Sequence, residues 1–251
     1  CSENYRLLVQ GFRLLLMRYR MILLPFTVLL LSACNVSNMK STGVVTANNQ
    51  STINCVSGKK QHNCQFINAP LKLRPMPRGF FRMADKLVFV DIDGKQWLAP
   101  ENTITDGASI PQIFIPLIGS RMHRNYINAA SVHDAYCSTE NRHLPQYYSE
   151  SWENTHRMFF DALLVNGTPE IMAKIMYAAV YLGGPRWNDR ERSLQNASRE
   201  HLLQEMKWCK RWIKAANPSR QRIEQWMKSR EKNLQQGKPE QPNWDRLLAE
   251  K

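Results

Sequence analysis

The sequence predicts an α+β protein in which a small antiparallel β hairpin or sheet is followed by a mainly helical domain of about four helices. Two observations carry this. Residues 80–111 hold short β-rich runs separated by turn residues, and residues 125–216 hold apolar side chains at helical spacing. In the first region Lys86-Leu87-Val88-Phe89-Val90-Asp91-Ile92 and Lys95-Gln96-Trp97-Leu98-Ala99 flank Asp93-Gly94, a dipeptide suited to the positive φ of a hairpin turn. In the second, Ile171 to Leu182 is delimited at both ends. Thr168 is placed to cap it, Pro169 fits a first helical turn, Glu170 complements the helix dipole, and Gly183-Gly184-Pro185 stops it. Its apolar residues run almost all the way round, as expected of a central, buried helix.

Asp189 to Ile213 repeats apolar residues at helical spacing (Leu194, Ala197, His201 or Leu202, Met206, Cys209, Ile213) and is expected to pack by one face. After Asn217-Pro218, Ser219 can cap a further amphipathic segment containing Ile223, Trp226 and Met227, which Gly237-Lys238-Pro239 ends. The expected division is 1–33 as leader, 34–69 as N-terminal tether, 70–216 as the folded domain (β part 80–111, helical part 125–216) and 217–251 as a basic amphipathic tail.

The chain has 251 residues, 43% of them hydrophobic and 22% charged, enough apolar material for one packed domain. Gly, Pro and Cys number 11, 13 and 6, which excludes collagenous, low-complexity and disulfide-knot classes. No apolar run reaches the ~20 residues of a membrane-spanning helix.

The most specific segment lies near the start. Met17-Arg18-Tyr19-Arg20 forms a short basic flank, Met21 to Leu31 is mostly apolar, and Ser32-Ala33 are small residues before Cys34. This is the layout of a secretory signal. Leu31-Ser32-Ala33-Cys34 resembles the bacterial lipobox, which implies diacylation of the Cys34 thiol and cleavage just before it. On this reading Met17 is the natural start and residues 1–16 lie upstream. Asn35, rather than Asp, follows the cysteine; by the same resemblance this favours the outer membrane, with the domain facing the periplasm. Asn35 to Asn54 holds thirteen Ser, Thr, Asn, Gln or Gly residues in twenty and reads as a tether.

Export agrees with the cysteines. With Cys1 upstream and Cys34 lipidated, four remain: Cys55, Cys64, Cys137 and Cys209. The even number fits an oxidising compartment. The simplest pairing is a local Cys55–Cys64 bridge and a long-range Cys137–Cys209 bridge, the alternative being four free buried thiols. No Cys-x-x-Cys occurs, so a cysteine-rich zinc site is not expected.

Lys and Arg total 34 against 21 Asp and Glu, a formal charge of +13. From Lys210 to Lys251 there are eleven Lys and Arg against five Asp and Glu, so much of the excess sits at the C-terminal end. A basic segment with interleaved tryptophans would ordinarily raise nucleic acid. A periplasm-facing domain instead meets anionic lipid, lipopolysaccharide and cell wall. These are the expected partners, beside the membrane itself through Cys34, with a solvated helix as the alternative.

The middle of the chain carries a second resemblance. Trp97-Leu98-Ala99-Pro100 leads to Thr105-Asp106-Gly107-Ala108-Ser109-Ile110-Pro111, then to Ala129-Ala130-Ser131-Val132-His133-Asp134-Ala135-Tyr136. Phe159-Phe160-Asp161-Ala162-Leu163, Asn166-Gly167 and Tyr177-Ala178-Ala179-Val180 follow. In order and spacing, residues 70–187 resemble the bacterial and phage family catalogued as domain of unknown function 1353, a resemblance that implies no agreed activity. Where that family has Ala-Asp, this chain has Thr155-His156.

Tyr126, Ala130, His133 and Cys137 fall at helical spacing, which puts His133 on the inward face of a helix beside Asp134. Trp152, His156, Phe159 or Phe160, and Leu163 form a similar stripe, so the two histidines can meet across a helix pair. Asp106 and Ser109 can join them from the turn after the hairpin. The candidate catalytic residues are His133, Asp134 and Asp106, and the candidate ligands of a divalent metal are His133, Asp134 and His156. Such a set could activate water through the metal or through His133 as general base. Two functions follow: a hydrolase of envelope material, or a non-enzymatic lipoprotein that binds envelope or phage components while its polar cluster fixes the hairpin on the helices.

Overall fold

The computed structural model describes residues 53–57, 60–107, 110–119 and 123–249. The leader, Met17, Cys34, residues 34–52 and 58–59 of the expected tether, and Ser109 lie outside the described residues, whereas its residues 53–57 and 60–69 are described and mostly extended. The described chain is α+β. Seven strands come first: β1 (Ile53–Ser57), β2 (Lys60–Ile67), β3 (Leu73–Pro75), β4 (Phe81–Met83), β5 (Leu87–Val90), β6 (Gln96–Ala99) and β7 (Ile104–Thr105). Seven helices follow: α1 (Ile115–Ile118), α2 (Ile127–Cys137), α3 (Trp152–Val165), α4 (Glu170–Gly183), α5 (Arg199–Ala216), α6 (Arg220–Gln235) and α7 (Trp244–Ala249).

The expected hairpin is β5 and β6, with Val90 opposite Gln96 and Leu87 opposite Ala99. Gly94 takes a φ of 78° in its turn, where a side chain would be strained. The turn is organised by Asp91, whose Oδ1 accepts the backbone N–H groups of Asp93 and Lys95 at 2.9 Å each and whose Oδ2 accepts Trp97 Nε1 at 2.7 Å. The hairpin belongs to an antiparallel sheet ordered β1-β2-β5-β6; β3, β4 and β7 form a second. Alternation decides which face is covered: Cys64, Phe66, Leu87, Phe89, Trp97 and Ala99 are buried. Each large apolar side chain fully removed from water contributes about 1.5–3 kcal/mol.

Helix α2 packs on β5, β6 and β7 and on α3, and the helices continue in sequence, α3 on α4 and α4 on α5. All eleven residues of α2 are buried, so it is enclosed on every side. The delimited helix is α4, as its flanking residues predict, but Thr168 does not cap it. Its hydroxyl donates instead to the Asn125 carbonyl at 2.7 Å and ties the start of α4 to the entry of α2. The expected helix from Asp189 begins only at Arg199, because Ser198 takes the cap, its hydroxyl accepting His201 N–H at 3.1 Å. Residues 186–198 form turns held by charge. Arg192 pairs with Glu231 and Glu153, and Arg186 with Glu231 at 2.9 Å, packed against the Trp152 and Tyr181 rings.

Ser219 caps α6 as expected. Ile223, Trp226 and Met227 are buried and the helix packs on α4, while α7 packs on α5. The apolar side of the basic segment is therefore used within the fold, and its outer side carries the charge. No helix among the described residues is long and apolar enough to cross a membrane.

Candidate functional site

The sequence-predicted residues converge where α2, α3 and β7 meet. His133, near the end of α2, sets its Nε2 2.9 Å from Nδ1 of His156 on α3. The helical stripe on each element produces this meeting. Both imidazoles are buried, His133 at 1% exposure and His156 at none, within aromatic walls: Phe159 lies 4.7 Å from the His133 ring, and Trp152 and Trp187 meet His156 edge-on. Gly184 closes the pocket around His156. A Cβ there would come 2.3 Å from the Val180 carbonyl oxygen and 3.1 Å from His156 Nε2.

Asp134 follows His133 in sequence but points elsewhere. Its Oδ2 accepts the Thr105 hydroxyl at 2.7 Å, and the Thr105 oxygen in turn accepts Gly107 N–H at 3.1 Å. Gly107, with a φ of 97°, supplies the turn of the Thr-Asp-Gly motif. The carboxylate thus fastens β7 to α2. Asn141 does the same from the other side. Its Nδ2 donates to the carbonyls of Ile104 and Asp134 at 2.8 and 2.9 Å, and its Oδ1 accepts Ile104 N–H at 2.8 Å. Tyr136 completes the attachment by accepting Leu98 N–H of the hairpin at 3.1 Å.

Cys137 is the member that cysteine parity assigned elsewhere. Its Sγ lies 3.4 Å from His133 Nδ1, one helical turn along α2. Cys137 and Cys209 are both free thiols, which corrects the expected bridge between them. The reason is position: Cys137 ends α2 beside His133, whereas Cys209 is buried on α5, beyond α3 and α4 in the stack. Cys64 is buried, and the side chain of Cys55 lies outside the described residues.

Burial governs the electrostatics. It pushes the His133 pKa down to about 3. The pKa of His156 is well below the usual imidazole range through burial first, then the proximity of His133 and Arg186. Burial, with the charges of Asp134 and Asp106, holds the Cys137 thiol well above its ordinary value. Both imidazoles are therefore neutral and the thiol protonated. Thiol, imidazole and orienting imidazole have the spacing of a nucleophile, base and orienter, but a base near 3 and an enclosed thiol are wrong for that chemistry at neutral pH.

Of the expected metal ligands His133, Asp134 and His156, the two imidazoles share a hydrogen bond at 2.9 Å, whereas two ring nitrogens on one tetrahedral zinc ion sit about 3.3 Å apart. The set whose donor atoms all lie within 4.8 Å of one another is His133, Asp134 and Cys137. Asp106 is half-buried at the exit of β7, next to Thr105, within electrostatic reach of Cys137. A groove of about 610 Å³ is lined by Asn68, Pro70, Lys72, Lys86 and Glu101 among others, and by no member of the cluster.

The fold and site define an α+β domain assembled around a buried His–Asp–Cys cluster. Residues 81–180, which hold Thr105, Asp106, His133, Asp134, Cys137, Asn141 and His156, match the sequence family described as "Protein of unknown function (DUF1353)". The chain is similar to uncharacterized protein y4iH of Sinorhizobium fredii, 35% identical over 143 residues, covering 57% of this chain and 56% of that protein. It is also similar to uncharacterized protein y4jT of the same organism, 37% identical over 123 residues, covering 49% of this chain and 32% of that one. The chain therefore spans about half of the first relative and a third of the second. No solved structure matches.

Proposed function

We propose that the protein is a lipoprotein anchored by a diacylated Cys34 in the outer membrane, facing the periplasm, and that it acts as a non-enzymatic binder of anionic envelope material. The observation that carries the binding reading is the contrast between its two polar regions. His133, Asp134 and His156 are enclosed, the two imidazoles joining α2 to α3 and Asp134 holding β7 on α2, whereas Lys207, Arg211 and Lys214 on α5 and Lys228 and Lys232 on α6 are exposed at helical spacing. Each basic residue near an anionic surface contributes about 1 kcal/mol, reduced by salt. Because the apolar side of α6 is buried within the fold, contact is by charge and not by insertion. The anchor reading is supported by the signal layout before Cys34. A Cys55–Cys64 bridge is supported by the register, which pairs Cys64 with Ile53 and so gives Cys55 and Cys64 the same sheet face.

Full-length chain carrying Cys34→Ser, so that no anchor contributes, is expected to sediment with phosphatidylglycerol vesicles but not phosphatidylcholine vesicles. Binding should be lost in high salt and weakened in Lys228→Glu/Lys232→Glu. Equal binding to both vesicle types overturns the binding reading. An intact upstream peptide and no acyl mass on Cys34 in native material overturns the anchor. The hydrolase reading is favoured by one observation, the ligand-type atoms gathered at His133, Asp134 and Cys137. Cleavage of peptidoglycan or phospholipid by the wild type, abolished by His133→Gln, would establish it in place of the binding reading.

A further inference from the structure

We propose that the groove at the open end of the β5–β6 hairpin binds a short, extended peptide with free termini, its carboxylate held by Lys86 and its ammonium by Glu101. The site is independent of the envelope-binding reading above, which rests on α5 and α6.

Strand alternation builds the floor. Leu87, Phe89, Trp97 and Ala99 are buried, so Val88 and Leu98 between them stand on the outer face of the sheet, where both are half-buried. Val88 pairs with Ile67 on one side and with Leu98 on the other, which makes a row of three apolar side chains across β2, β5 and β6. Ile67, at 37% exposure, is the one exposed large hydrophobic side chain among the described residues. The row enters the groove at Leu98, and Pro70 and Pro100 extend its apolar lining. At about 610 Å³ the groove falls within the range of roughly 300–1,000 Å³ in which small-ligand sites combine an apolar surface with a few placed polar groups.

The polar groups match those of a peptide. Lys72 and Asp85 satisfy each other at 3.3 Å. Lys86 and Glu101 border the same groove but have no ion-pair partner among the described residues, so they stand more than 4.0 Å from one another. Lys86 immediately precedes β5 and Glu101 lies two residues past β6, and the pairing of Leu87 with Ala99 brings both to one end of the hairpin. Asn68, exposed and without a hydrogen-bond partner among the described residues, lines the groove beside Pro70. Its amide offers both a donor and an acceptor, the complement of a peptide unit.

Charge selects the ligand. With Lys72 and Asp85 paired, one cation and one anion remain, so a ligand of a single sign meets a like charge beside its partner. A zwitterion meets both, provided that its charged groups are set apart as the termini of a short peptide are. An apolar side chain between those termini covers Leu98 and the prolines, which gains the free energy of removing their surface from water. Lys86 and Glu101 are exposed, and water screens them. Each terminus is therefore worth a few-fold in affinity rather than orders of magnitude, and the pair of charges sets the orientation of the peptide.

The test titrates the full chain carrying Cys34→Ser, methyl-labelled at leucine and valine, with the tripeptide Ala-Leu-Ala. Saturable shifts of the Val88 and Leu98 methyl resonances at millimolar peptide are expected. Acetylation of the peptide amine should weaken binding to this parent chain about two- to fivefold and leave binding to a Glu101→Gln variant unchanged. Amidation of the peptide carboxylate should behave in the same way toward Lys86→Gln. Both substitutions fall at exposed positions without partners, so the variants fold as the parent does. Absence of a saturable shift at Val88 and Leu98, or equal affinity for the doubly blocked peptide, overturns the proposal. A shift of these resonances on dilution of the protein alone also overturns it, since a second copy then fills the groove. An effect of acetylation that persists in Glu101→Gln, or of amidation that persists in Lys86→Gln, overturns the assigned contact. Vesicle binding is measured separately, so loss of either reading leaves the other standing.

Discussion

Replacing Asn141 is the sharpest test of how the motif strand is held to the helices. Asn141 is fully buried and makes three hydrogen bonds, two of them to Ile104, bracketing the backbone of β7 as a neighbouring strand would. In Asn141→Ala the Ile104 N–H and carbonyl lose this partner at a half-buried position, at about 1–1.5 kcal/mol each. The third bond is worth less, about 1 kcal/mol, because the Asp134 carbonyl still accepts Ser138 N–H at 3.0 Å. The sum is about 3–4 kcal/mol, or a fall in Tm of roughly 10 °C for a domain of this size. Urea unfolding followed by circular dichroism measures it. Asn141→Asp adds a sharper version: it keeps the acceptor for Ile104 N–H but turns a carboxylate oxygen toward two carbonyls. It should cost more than Asn141→Ala at pH 7 and recover as pH falls and the carboxyl protonates. An Asn141→Ala variant within about 1 kcal/mol of wild type would refute the clamp.

Two further outcomes follow from the buried charges and imidazoles. In chelator-treated protein, stability is present above pH 6.5 and is lost as pH falls from there toward about 3, because the unfolded chain takes up a proton that native His133 refuses. The loss from His133 is about 2 kcal/mol at pH 5, His156 acts in the same direction, and the slope of unfolding free energy against pH near 5 should drop by about 1.4 kcal/mol per pH unit in His133→Gln; an unchanged slope contradicts neutral burial. Glu231→Ala removes the partner of Arg186, whose side chain is 2% exposed. It should cost about 3–5 kcal/mol by urea unfolding, and a cost below 1 kcal/mol would mean that Arg186 is not dependent on that carboxylate.

The amino-acid sequence by itself determined the local elements and the seams between them. Alternation along Leu87–Ala99 with Asp93-Gly94 specified the hairpin, and Pro169, Glu170 and the glycine pair delimited α4. The stripes through His133 and His156 brought the two imidazoles together, because period-two and period-3.6 patterns are local consequences of backbone geometry. Such patterns do not say which of several chemically suitable partners a polar group takes. Thr168 reads as a cap but reaches the Asn125 carbonyl. Asp134 reads as the partner of His133 but turns to Thr105. Cys137 shares the inward face of α2 with His133, a signal visible in the i, i+4 spacing, yet an even cysteine count pointed it at Cys209. Asn141 left no periodic trace at all, since a single polar residue after a helix looks like any loop residue. Only the tertiary structure decided these pairings. Each depends on which groups are stripped of water at the meeting of α2, α3 and β7, and a buried polar atom takes whichever partner lies within about 3 Å rather than the one nearest along the chain.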